Sequence, residues 1–144
     1  MGNERQGAVM SLIEQLKRHE GLRLKPYKCT AGKLSLGYGR NLEDKGISER
    51  EAELMLSSDI HEVQDELSKR LPVYSKLNPA RKDALVNMGF NLGVAGLLKF
   101  KKMISALELG NYNLAAAEML DSRWASQVGQ RSKELAEQIR TGSY

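Results

Sequence analysis

The sequence predicts a mainly helical α+β protein, and two observations carry that reading. Apolar residues return at helical spacing near the N-terminus and again over most of the chain beyond residue 48. Between them a short stretch, residues 26–38, switches to a period of two around the loop Thr30-Ala31-Gly32. No internal repeat, low-complexity tract or disordered linker interrupts the order.

Each element has its own local reason. Residues 1–7 are polar and read as a frayed lead-in. Val9, Leu12, Ile13 and Leu16 then place a helix over about 8–19, with Gly21 just past its end. Strands are expected at 26–29 and 33–38, because Leu34 and Leu36 alternate with Ser35 and Gly37. Gly32 at the third loop position suits a three-residue hairpin with a bulge. Residues 41–46 form a polar connector. Ser48 and Glu51 then make a capping box, and Leu56, Ile60, Val63 and Leu67 extend a helix until Leu71-Pro72 stops it. Such a helix is about 33 Å long at the standard rise.

Beyond Pro72 every segment reads as helix. Asn78-Pro79 supplies an N-cap and a first-turn proline, Ala80, Ala84, Leu85 and Met88 an apolar face, and Gly93 a stop. Residues 98–109 form another amphipathic segment closed by Gly110. Asn113 is expected to cap 114–120, and a last helix spans about 130–140.

Composition sets outer bounds. The 144 residues fit one compact unit or two small lobes sharing a helix, and 41% hydrophobic content is enough for a core. The longest uncharged run, Ala84 to Leu98, is too short to span a bilayer. An N-terminus without an apolar stretch predicts no signal peptide, and a single Cys agrees with a reducing compartment. The net charge of +4 suits anionic partners, but 6% aromatics and no run of five basic residues argue against nucleic acid. His19 and His61 are too few for a metal site.

The chemistry concentrates between Arg18 and Arg40. Glu20 falls on the last turn of the first helix, where the negative helix end pushes a carboxyl pKa upward. A protonated Glu in a cleft is equipped as a general acid; a solvated Glu at a helix end is the plain alternative. The hairpin is expected to bring Cys29 and Ser35 close together. A Cys29–His19 peptidase pair lacks a third orienting residue.

The run E-G-L-R-L-K-P-Y-K-C-T-A-G-K-L-S-L-G-Y-G, residues 20–39, resembles the signature of bacteriophage-type lysozymes, the endolysins of glycoside hydrolase family 24. That family carries Glu, eight residues, Asp or Cys, five residues, then Thr; Glu20, Cys29 and Ser35 meet this spacing. P-V-Y-S-K-L-N-P-A-R-K-D-A-L-V-N-M-G-F-N-L-G (72–93), A-A-A-E-M-L-D-S-R-W (115–124) and R-T-G-S-Y (140–144) are similar to later parts of the same family. The connector, residues 40–47, is shorter than in larger members and leaves no room for an extra helix.

The resemblance implies a lysozyme-like fold. A small N-terminal lobe with the hairpin (about 8–47) is joined by a long helix (about 48–71) to a C-terminal helical lobe (about 72–144). It implies hydrolysis of the β-1,4 bond between N-acetylmuramic acid and N-acetylglucosamine in peptidoglycan, with Glu20 as acid. Cys29, where many relatives have Asp, is either a thiolate that activates water or a small spacer. Ser35 in place of Thr keeps the hydroxyl that orients water. Arg140 matches an arginine that pairs with the catalytic Glu. Phe90 and Asn91 match positions lining the sugar cleft, with Tyr38, Gly39 and Arg123 as further candidates; for Phe90 core packing is the alternative. No cofactor is implied. The implied partners are glycan strands and a separate holin that opens the host membrane, the enzyme itself being a cytoplasmic monomer without membrane insertion. Two other readings fit the same residues: a lytic transglycosylase, and a non-catalytic peptidoglycan-binding or virion structural module.

Overall fold

The computed structural model describes residues 2–144, with side chains from Ser11 onward. It is α+β, mainly helical with one three-stranded antiparallel sheet, as the periodicities predict. The chain forms two compact units, the first ending at Glu53 and the second spanning Leu54–Tyr144.

In the first unit α1 (Gly2–Glu20) begins six residues before the expected Ala8. The polar lead-in contains Glu4, Arg5 and Gln6, which are good helix formers, so polarity did not mark a boundary there. The sheet runs in the order β1 (Arg23–Lys28), β2 (Leu34–Gly37), β3 (Arg40–Asn41). β1 starts three residues earlier than expected, and Tyr27 faces Ser35 while Lys28 faces Leu34. The register slips between Arg23 and Tyr27, around Pro26, which can donate no ladder bond and so belongs on this edge strand. The three-residue loop closes as expected, with Gly32 N–H on Cys29 O at 2.8 Å and Cys29 N–H on Lys33 O at 2.9 Å.

The connector corrects the expectation that it has no room for a helix. After β3 it makes the single-turn α2 (Leu42–Lys45). Asn41 Oδ1 accepts from Asp44 N–H at 3.1 Å, and Gly46 N–H closes the turn on Leu42 O at 2.8 Å. One turn needs only these two bonds, which no hydrophobic period announces.

The predicted capping box opens α3 (Glu49–Arg70): Glu51 N–H donates to Ser48 Oγ at 3.1 Å, and Ser48 N–H to Glu51 Oε1 at 2.9 Å. Glu51 also receives the Arg40 guanidinium through two bonds of 3.0 and 2.5 Å, which ties the end of the sheet to the start of α3. Arg40 foremost, then Ser48, holds the Glu51 carboxyl at about 2, well below its usual 4.5. A depressed carboxyl stabilises the fold fully above pH 4.5, and that stabilisation is lost as pH falls toward 2. Glu51→Gln is therefore expected to lower the melting temperature at neutral pH and to flatten its decline between pH 4.5 and 2. Parallel melting curves for wild type and variant across that range would refute this.

The second unit is helical throughout. After α3 come a 3-10 turn (Pro72–Lys76), α4 (Pro79–Leu92), α5 (Val94–Leu97), α6 (Lys101–Glu108), α7 (Tyr112–Leu120), α8 (Arg123–Val128) and α9 (Gln130–Thr141). Leu67, Leu85, Met88, Leu97, Met103, Leu107, Met119 and Ile139 are fully buried and form its core. Asn78 caps α4 as predicted, accepting from Arg81 N–H. Asn111, not Asn113, caps α7: its Oδ1 takes Leu114 N–H at 3.2 Å, the three-residue reach a cap requires. α8 is an addition, started by the Ser122 hydroxyl on Ala125 N–H.

The R-T-G-S-Y close is pinned to the start of α4. Arg81 donates to Ile139 O at 2.7 Å and Arg140 O at 3.3 Å, and Asn78 Nδ2 to Gly142 O at 2.9 Å. The Tyr144 hydroxyl reaches Asp83. Carbonyls left open at the end of α9 are thus satisfied by side chains 58 to 64 residues away.

Candidate active site

In the first unit, Gly21 N–H bonds Lys17 O at 2.9 Å and ends α1 with Glu20 as its last residue. The Glu20 carboxyl reaches back over the turn between β2 and β3. A β-carbon placed on Gly39 would lie 2.5 Å from Glu20 Oε2. The side chain is exposed, as are Leu22 and Leu24. Tyr38, beside Gly39, carries the Lys17 ammonium 5.7 Å from its ring centroid.

Cys29 opens the hairpin loop and is partly exposed. Its thiol is held below the ordinary value by the backbone N–H groups of Lys33 and Ala31, against an opposing effect of burial, with the Ser35 hydroxyl adding to them. Backbone donors of the loop, foremost Lys33 and Ala31, produce this shift. Ser35 is 2% exposed, and its hydroxyl donates to Lys33 O at 3.1 Å. One O–H cannot serve two acceptors at once, so Ser35 turns to the sulfur only in exchange for that carbonyl.

In the second unit, Leu56, Ile60, Val86 and Phe90 line a groove of about 400 Å³ with Asn87 and Arg131 on its polar side. Phe90 is exposed at 44%. Asn91 Oδ1 accepts from the indole N–H of the buried Trp124 at 2.9 Å, which leaves its amide nitrogen as the donor end. Arg123 is exposed in the first turn of α8. Arg140 lies on the Glu137 carboxylate, with Nε to Oε2 at 3.0 Å. Sequence reading missed Arg131, whose guanidinium is held by Asn87 Oδ1 at 2.9 Å on the groove wall. Nothing in the helical period of α9 separates these two arginines; only Asn87, 44 residues away, does.

Glu20, exposed at the end of α1, and Cys29, partly exposed at the hairpin loop, thus lie in the same unit. The phage lysozyme family model matches residues 17–140. The chain is 35% identical to an endolysin of Acyrthosiphon pisum secondary endosymbiont phage 1, over 81% of this chain and 80% of that protein. It is 29% identical to a probable T4-type lysozyme of Dictyostelium discoideum, over 94% of this chain and 96% of that one. It is also 30% identical to the pre-baseplate central spike protein Gp5 of Enterobacteria phage T4, over 93% of this chain but only 28% of the spike protein's length. The chain belongs to the phage lysozyme family. That places it among the peptidoglycan-hydrolysing glycoside hydrolases, the muramidases.

Proposed function

We propose that this protein is an endolysin that hydrolyses the β-1,4 bond between N-acetylmuramic acid and N-acetylglucosamine. Glu20 protonates the leaving oxygen as the oxocarbenium-like centre develops. The Cys29 thiolate activates the attacking water, and Ser35 steadies that thiolate and orients the water with it. The observation that supports the reading is the presence, within one unit, of a carboxyl seated on Gly39 and a thiol acidified by its own loop. Phe90 and Asn91 bind sugar rings through an exposed aromatic face and a free amide nitrogen, and Tyr38 and Arg123 add contacts to the glycan. Arg140 enters as a supporting cation only in competition with Glu137.

Among the described residues no helix is long and apolar enough to cross a membrane. As part of the same proposal, the enzyme acts as a monomer and reaches the wall from the host cytoplasm once a separate holin has opened the membrane.

A second reading is favoured by the match to the spike protein: a virion-associated module that holds glycan. Turbidity of chloroform-treated Gram-negative cells separates the two. It falls for the endolysin and stays flat for a pure binder. Reducing N-acetylmuramic acid ends are expected in the products, whereas 1,6-anhydro ends would make the protein a transglycosylase.

A further inference from the structure

We infer that Gly39 is a positioning residue whose missing side chain fixes where Glu20 delivers its proton. The inference rests on the acid role proposed above for Glu20. A β-carbon on Gly39 would stand 2.5 Å from Glu20 Oε2, 2.9 Å from Cδ and 3.4 Å from Cγ. Nonbonded carbon atoms settle at about 3.5–4.0 Å, so the carboxyl occupies the volume that any other residue at position 39 would claim. Which partner yields follows from stiffness. The backbone here is held by the pairing of Leu36 with Arg40 and by the grip of Arg40 on Glu51. Glu20 is an exposed side chain with rotatable bonds and no hydrogen bond or ion pair among the described residues. The carboxyl moves and the fold stays. A misplacement of about 1 Å at a reacting group costs on the order of 10²-fold in rate.

Gly37 supplies the comparison that separates this role from backbone strain. Its φ is 72°, against 74° at Gly39, so a side chain at either position meets the same conformational penalty. A β-carbon on Gly37, however, meets nothing within 4 Å. Left-handed backbone explains glycine at both positions; only position 39 has a carboxyl resting on it.

The test measures kcat and KM on soluble peptidoglycan glycan chains, with thermal unfolding alongside, for wild type, Gly37→Ala, Gly39→Ala, Gly39→Asn and Glu20→Gln. Asn tolerates positive φ while still carrying a β-carbon, which keeps the test open if the Ala variant does not fold. The two Ala variants are expected to lose similar thermal stability. Gly37→Ala keeps the wild-type kcat. Gly39→Ala and Gly39→Asn lose about 10²-fold in kcat at unchanged KM. An active Glu20→Gln would remove the acid role itself. An inactive Glu20→Gln, beside position-39 variants that match the kcat of Gly37→Ala, would overturn the positioning role alone.

Discussion

Glu20→Gln is expected to abolish wall lysis while the protein unfolds at nearly the wild-type temperature. The stability half follows from the surroundings of the side chain. Glu20 is exposed and makes no hydrogen bond or ion pair among the described residues, and surface changes of this kind stay within about 0.5 kcal/mol. Gln has the same shape as Glu, so it still fits against the bare backbone of Gly39. What it lacks is a proton it can give up. A glycosidic oxygen is a poor leaving group until protonated, and a positioned acid contributes about 10²- to 10⁴-fold to such a step. The check is turbidity loss of permeabilised cells beside a melting curve. Lysis at the wild-type rate would take Glu20 out of the mechanism. Lost lysis with a collapsed melting temperature would make it a structural residue.

The features the sequence disclosed are those whose partners lie three or four residues apart. Ser48 with Glu51, and Asn78 with Arg81, are caps that pair as their spacing requires. The Cys29–Gly32 loop is equally local. What escaped depends on longer reach. Arg40 finds Glu51 eleven positions on, Trp124 finds Asn91 across 33, and Arg81 holds the end of α9 across 58. No period or motif encodes those distances, because the intervening fold sets them. Short elements escaped for the opposite reason. β3 has two residues and α2 four, too few for any hydrophobic period to register. At the candidate site, the family signature pointed to Glu20, Cys29 and Ser35, while what each of them touches is set by the fold. Gly39 was legible as a signature position, but not as the seat of the Glu20 carboxyl.

Blocking Cys29 separates a working base from a spacer, and pH makes the separation quantitative. Cys29→Ala and alkylation of the thiol are each expected to cost about 10²-fold or more in rate with the fold retained. Cys29→Asp restores an anion at that position and is expected to keep much of the activity. In the wild type the active form holds the Cys29 thiolate while Glu20 keeps its proton, so ionisation of the thiol sets one limb of the pH profile. The midpoint of that limb falls below the ordinary thiol value of 9.0, because the N–H groups of Lys33 and Ala31, and then the Ser35 hydroxyl, favour the anion. Removing the last of these donors with Ser35→Ala moves the limb upward, back toward 9.0. The Asp variant moves it far down, into the carboxylate range near 4. The measurement is kcat against pH for all four proteins. A limb that stays in place when Cys29 becomes Ala or Asp would show that another group activates the water. Cys29 would then merely fill the hairpin slot, as a small, partly covered side chain does.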